Sequence, residues 1–470
     1  MSIKKFFSAL MIASFVNMSI LPAFAIQEKN VQNDTKTLKK QEKIFQHRVK
    51  RNKKFNDDYK YGYVNMDFWK SFNDKNLDNY INLAIQNNYD LKMATLNVDE
   101  YYQNVKLQFA NELPNASIGF SPAYSKLGSS DIDAEWSYAS PVIINYEADI
   151  FLKNRYKTRS MKKLYEASQL DERSAYISIA SAVGSVYMNL VTLDEVIKYQ
   201  ENIVALRKEI YEIMQESNRQ GLVSTSDTVK ANKAYVNGTS DLINYKKNKE
   251  ILMHQLAVLI GESPENITDL KISKLSDIKY TKSIPTSISS EIITNRPDYL
   301  KSIKMLEKMG IDVRVAKKEF LPTFDITGLA MFLHGANNPI DGIYAIAASG
   351  MLPVFTGGKR IANLKLKKIQ YDKALESYQK TNLVALQEVN NALISVKRDG
   401  EKLDKHKKQL ALENQDFGYT QQRYDQGIIS KLDLIQMQEN LLSVNKLVAN
   451  STGACYVDYI SLYKAVGSKL

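Results

Sequence analysis

The sequence predicts a mainly α-helical fold with a small β part, laid down as one pattern used twice. Three observations carry this. Two matching hairpin-tip stretches, Arg219-Gln220-Gly221-Leu222-Val223-Ser224-Thr225-Ser226-Asp227 and Arg423-Tyr424-Asp425-Gln426-Gly427-Ile428-Ile429-Ser430-Lys431-Leu432-Asp433, lie 206 positions apart. Each closes a very long Pro-free helical stretch, 152–220 and 359–426, and is followed by a return helix. Each half also carries two strand-like runs at the same place in its order.

In chain order, Asp74 to Glu112 returns apolar residues such as Leu77, Ile81, Leu91, Val98, Tyr102 and Phe109 near a period of 3.6, and Leu113-Pro114 ends the pattern. Ala116, Ile118 and Phe120 then alternate with polar residues as in a strand, and a second such run covers Trp136 to Phe151. Leu152 to Gln220 reads as one helix on the order of 100 Å long, the length of a coiled coil. It turns at Gly221 and returns over Ser226 to Leu259, where Gly261-Glu262-Ser263-Pro264 stops it. Past a Ser, Thr and Ile-rich connector the order repeats. Asp90 to Pro114 spans 24 residues, and so does Asp298 to Pro322. Strand-like runs Thr323 to Phe332 and Gly342 to Phe355, a long helix to Gln426, the Gly427 turn and a last helix to about Val466 complete the second copy. The expected organisation is a signal peptide at 1–25, a basic polar arm at 26–60, a first repeat at 61–264, a connector at 265–290 and a second repeat at 291–470.

Lys4 and Lys5, an apolar run from Phe6 to Leu21 and Ala23-Phe24-Ala25, the small-x-small form of a cleavage site, together predict an export leader. No Cys stands at that point for acylation, and the lone Cys455 cannot form an internal disulfide, so the exported fold is expected to be held by packing or assembly. The formal charge of +11 is local: residues 36–54 carry a net +8, and apart from Lys4 and Lys5 the rest sums to +1. One basic tail is not a nucleic-acid groove, so no nucleic-acid partner is expected. No later segment reads as long and apolar enough for a transmembrane helix, so any membrane passage must be a closed β-barrel.

Nothing local suggests chemistry. His47, His254, His334 and His406 are scattered without metal spacing, and Gly357-Gly358 lacks the Lys-Ser/Thr of a phosphate loop. No catalytic residue, metal or cofactor is expected, and the chain is not read as an enzyme. Four strands cannot close a barrel, for which about eight is the minimum, and a helix pair cannot bury wide apolar stripes alone. Pooling strands and helices from several symmetric copies removes both deficits, and three copies would supply twelve strands.

The run Leu352-Pro353-Val354-Phe355-Thr356-Gly357-Gly358-Lys359-Arg360, then Tyr378, Gln387-Glu388-Val389 and Arg423-Tyr424-x-x-Gly427, resembles the second half of TolC-like outer-membrane efflux proteins. Tyr146-Glu147-Ala148-Asp149-Ile150-Phe151 resembles their first half, and the likeness extends from about Phe68. It implies a homotrimer with a twelve-stranded β-barrel among outer-membrane lipid, joined to a periplasmic α-helical barrel. Such ducts serve tripartite efflux pumps or type I secretion, coupled by a periplasmic adaptor to an inner-membrane pump or ABC exporter.

By the same resemblance the adaptor docks on Gly221-Leu222-Val223 and Gly427-Ile428-Ile429. Closure of the mouth falls to Tyr424 and Asp227, with Asp433 and Gln436 at the two positions that form rings at the constriction. The family's gate Arg is replaced here by Ile429, and one of its two aspartate rings by Gln436. Three Asp433 carboxylates at a narrow pore would favour cations. Helix capping is the plainer reading of Asp227 and Asp433, turn packing that of Tyr424, and backbone geometry that of Gly221 and Gly427. A rival from another class is an exported structural or adhesive coiled coil without a pore, which gives no reason for paired strand runs.

Overall fold

The repeat is visible in element lengths. In the computed structural model, which describes residues 62–125, 135–266, 270–283, 285, 290–335 and 338–468, helices α1 (Met66–Lys70), α2 (Lys75–Asn87) and α3 (Tyr89–Ala110) open the chain. Strands β1 (Asn115–Ile118), β2 (Ser121–Ser125) and β3 (Glu135–Glu147) follow, then α4 (Lys153–Arg219) and α5 (Thr225–Ile260). Short 3-10 turns lead to α6 (Pro297–Lys318), β4 (Thr323–Gly335), β5 (Asn338–Met351), α7 (Lys359–Asp425) and α8 (Lys431–Ala465). Helices α3 and α6 are both 22 residues long, and α4 and α7 are both 67. The leader and basic arm, residues 1–60, lie outside the described residues.

Two compact units form, one from residues 102–163 and 307–372, the other from 57–101, 164–306 and 373–470. The first holds an antiparallel sheet in the order β1-β3-β4-β5, with β2 continuing β1 along the same flank of β3. Here the sequence reading is refined: the first strand is interrupted at Gly119 and Phe120, so four strand paths appear as five segments. Gly119 N–H still donates to the Pro141 carbonyl (2.8 Å), which keeps the two pieces in line. The flanks of the sheet find no further strand among the described residues. Ile118 (79 % exposed), Tyr344 (72 %) and Ile346 (85 %) are exposed in the single chain. A sheet with open edges and exposed apolar residues needs a membrane, further strands, or both.

The second unit is built on an aromatic core. Phe68, Trp69, Phe72, Tyr187 and Tyr463 are fully buried, with Phe68 stacked on Tyr463 at 4.3 Å between ring centres. Asp74 caps α2, accepting from Asn76 N (2.8 Å) and Leu77 N (3.3 Å), and receives the Tyr187 hydroxyl (2.7 Å) and the Ser273 hydroxyl (2.9 Å). This satisfies a buried carboxylate through its hydrogen bonds. The helix expected over Asp74 to Glu112 is broken at Asn88. Its amide donates to the Leu259 carbonyl (2.9 Å) while its side-chain oxygen caps Leu91 N (3.0 Å), so a tertiary contact stops α2 and starts α3.

The connector joins this core through buried Leu275 and Ile278. The expectation about apolar helices also needs a correction, because α4 does contain an 18-residue window of membrane-spanning composition. Most of that window is buried, with Ile177, Ala180, Val183, Tyr187 and Leu190 packed in the aromatic core, so its apolarity serves folding.

Candidate functional site

Both hairpin tips lie in the second unit and use one backbone device. At the first, Gly221 N–H donates to the Asn218 carbonyl (3.0 Å) and Leu222 N–H to that of Ser217 (2.9 Å). At the second, Gly427 N–H donates to Tyr424 O (2.8 Å) and Ile428 N–H to Arg423 O (2.9 Å). Paired bonds of this kind end a helix when the residue after its cap turns left-handed, and Gly221 and Gly427 have φ of 73° and 72°. The sequence-read roles of the two glycines are thus backbone roles first. Leu222 (72 % exposed) and Ile428 (60 %) stand out from the tips, and Val223 and Ile429 are half-buried.

Three residues past each glycine a serine restarts the helix. Ser224 accepts from Asp227 N (3.1 Å), and Ser430 accepts from Asp433 N (3.2 Å). Beyond this shared frame the tips differ. Asp433 closes a full capping box, accepting from Ser430 N (3.0 Å) and from its hydroxyl (2.7 Å). Asp227 accepts the Ser224 hydroxyl (2.8 Å) and pairs with Lys230 (2.9 Å). Lys230 and Gln436 hold equivalent positions, nine past each glycine, so only the first acid has a cation at that position. Both carboxyls sit below the ordinary range, Asp227 through Lys230 and then Ser224, Asp433 through the two Ser430 groups with help from Arg423. Three before its glycine, half-buried Tyr424 holds the position that Asn218 holds at the first tip, where Asn218 donates to the Val223 carbonyl (2.9 Å).

The tips are tied by residues that sequence reading missed. Lys431, the first residue of α8, pairs with Glu209 of α4, which raises the affinity of the ammonium for its proton. Further along, Arg207 of α4 binds Glu439 of α8 (2.7 Å) and donates to the Ala234 carbonyl of α5 (3.2 Å). Lys446 donates to Gln200 (2.6 Å) and lies over the Tyr245 ring, and Gln200 donates to the Gly238 carbonyl (3.0 Å). A Cβ at Gly238 would come within 3.1 Å of Arg207 Nη1, so a larger residue there would push the guanidinium aside by a few tenths of an ångström. The polar ladder from Lys431 to Lys446 runs along the seam of α4, α5 and α8. Among the described residues no cluster of His, Cys, Asp or Glu could hold a metal ion.

An open-edged sheet of few strands, joined in one chain to paired hairpins whose tips carry capped acids and exposed apolar residues, defines a protomer of a membrane duct. A family model described as outer membrane efflux protein matches residues 80–262 and 288–468. The toluene efflux pump outer membrane protein TtgC of Pseudomonas putida is 28% identical over 416 residues, covering 85% of this chain and 84% of its own. The cation efflux system protein CusC of Escherichia coli O157:H7 is 21% identical over 404 residues, again 85% of this chain and 87% of its own. The outer membrane channel CmeC of Campylobacter jejuni superposes with a TM-score of 0.77 at 26% identity, covering 86% of this chain and 88% of that one. The chain belongs to the outer membrane efflux protein family. It is an outer-membrane efflux channel that extends into the periplasm, and the poreless coiled-coil reading falls away.

Proposed function

We propose that the chain works as a homotrimer, the passive exit duct of a tripartite pump, whose tips dock a periplasmic adaptor coupled to an inner-membrane pump or ABC exporter. The observation that carries this is the open sheet: four strand paths with exposed apolar residues require strands from other copies before they can close in a membrane. On this reading exposed Leu222 and Ile428, flanking Gly221 and Gly427, meet the adaptor with Val223 and Ile429 behind them.

The mouth is held shut by contacts of this chain's own. With Ile429 and Gln436 in place of a cation and a second acid, the tie between hairpins passes to Lys431–Glu209 and Arg207–Glu439. Asp433 combines its capping role with the pore's negative ring, Asp227 is neutralised by Lys230, and Tyr424 packs at the turn. The duct runs no reaction and needs no cofactor. Its cargo is not set by these residues: the relatives above are named for toluene and for cations.

The test is direct. Mature protein purified in detergent is expected to sediment as a trimer and to conduct ions in planar bilayers, with an adaptor co-purifying through the tips. A monomer that stays soluble without detergent overturns the reading. Replacing Leu222 and Ile428 by Asp should abolish adaptor capture while leaving the trimer intact.

A further inference from the structure

Outside the tips, a group of four cations gathers in the first unit, at the end of the sheet. A recess of about 550 Å³ there is lined by Lys153, Lys318, Lys359 and Arg360 against the single carboxylate of Glu319. Two of the cations are already committed. Lys153 pairs with Glu147 (2.6 Å), and Lys318 donates to the Phe151 carbonyl (2.6 Å) under the Tyr156 ring. The carboxylate is engaged too, since Asn363 donates to Glu319 (2.8 Å). Lys359 and Arg360 have no ion pair among the described residues, and Arg360 Nη1 is buried with no acceptor at all.

A guanidinium is charged at every accessible pH, and a buried N–H left without an acceptor costs free energy. An anion brought against the Arg360 guanidinium from the recess would supply an acceptor to a group that lacks one. The surroundings specify which kind. Met351, Pro353 and Leu321 form the apolar part of the lining, and the chain leaving β5 continues through Leu352 (58 % exposed), Val354 (89 %) and Phe355 (89 %). An apolar run beside a cationic recess, at the end of a strand of a membrane sheet, matches the two parts of an anionic phospholipid. The phosphodiester, with one negative charge shared by two free oxygens, suits the fork of Arg360, and the ammonium of Lys359 adds a point charge.

We propose that this recess binds the phosphodiester headgroup of an anionic phospholipid, with its acyl chains along Leu352 to Phe355. The proposal rests on the outer-membrane location given above. Loss of that location would show as a soluble chain, an outcome separate from those below.

The experiment uses the full mature chain in detergent, read by thermal unfolding and by native mass spectrometry of retained lipid. Phosphatidylglycerol, phosphatidylcholine and inorganic phosphate are added in parallel. Phosphatidylglycerol is expected to raise the melting temperature and to stay bound, whereas the zwitterionic lipid and free phosphate do neither. The double variant Lys359→Gln/Arg360→Gln is expected to retain phosphatidylglycerol about tenfold less well, the scale of losing a charge-assisted hydrogen bond. Equal effects of the two lipids, or full retention by the double variant, would overturn the proposal. Free phosphate acting as well as the lipid would also overturn it, by making the recess a simple anion site. Should the double variant misfold, exposed Lys359→Gln alone decides, and unchanged retention there rules the site out.

Discussion

Lys431 and Glu209, set 222 positions apart, form an ion pair that ties the first turn of α8 to α4, while Asp433, two residues further on, turns its carboxylate back to Ser430. Where the second hairpin turns, the residues thus split into two jobs. One cation binds hairpin to hairpin, and one acid finishes a helix and keeps its charge.

That division predicts how the mouth opens. Lys431 and Glu209 are both well exposed, so their pair is weak alone and screened by salt. Arg207 and Glu439 are more sheltered and supported by a backbone acceptor. Lys431→Ala should therefore raise bilayer conductance slightly and only at low salt. Lys431→Ala with Arg207→Ala should raise it several-fold at any salt. Unchanged conductance in an intact trimer of the double variant would place closure in other contacts.

Asp433 can be stripped of charge without losing its cap. In Asp433→Asn the amide oxygen still accepts from Ser430 N, so the start of α8 should survive. Cation over anion selectivity, read from reversal potentials in a salt gradient, is expected to fall. If selectivity holds, Asp433 is a capping residue only. Gln436→Lys offers the converse, because it copies the Lys230 arrangement that neutralises Asp227 and should weaken selectivity in the same direction.

The duplication was legible because it is written in local signals. Gly221 and Gly427, Ser224 and Ser430, and the prolines after α3 and α6 each act through the backbone within a few residues. Most helix ends accordingly fell within a residue or two of their expected places. What escaped were contacts between residues far apart in the chain. Asn88 breaks a helix because Leu259, 171 positions on, offers a carbonyl, and Arg207 meets Glu439 across 232. The site followed the same rule: capping by Asp227 and Asp433 was readable from spacing, whereas the ladder along α4, α5 and α8 exists only once those helices pack.

Packing makes its own prediction at Gly453 of α8. A Cβ there would fall 2.0 Å from Thr192 Oγ1, and Thr192 is pinned by its bond to the Met188 carbonyl (2.7 Å). Gly453→Ala gains about 1 kcal/mol of helix propensity but overpacks a fixed neighbour, a cost of about 1–3 kcal/mol. The variant should melt at or below the parent temperature. Gly453→Ala with Thr192→Ala should recover part of the loss, since Oγ1 and Cγ2 are removed while the Cβ of residue 192 still lies 2.8 Å away. A single variant more stable than the parent would mean the two helices can separate freely.

The last prediction concerns pH. Burial, and after it a hydrogen bond and charge from Asp399 on α7, push Asp458 of α8 from 3.8 up to about 7, and its second oxygen is buried without a partner. The folded chain holds this proton more tightly than the unfolded chain. The stabilisation is complete below the unfolded value and is lost as pH rises toward 7. The carboxyls of Asp227, Asp433 and Asp298 shift the other way and lose their contribution only as pH falls through values below 3.8. Burial lifts the neighbouring Cys455 thiol to about 11, so it stays neutral throughout. Burial raises Asp78 in the same direction, so the comparison with an Asp458 variant, not the interval from pH 5 to 8 alone, isolates Asp458. Urea midpoints of the parent should fall across the interval, and those of Asp458→Asn should fall less, because the amide is neutral at both ends. A parent that gains stability over that interval would exclude a shared proton between α7 and α8.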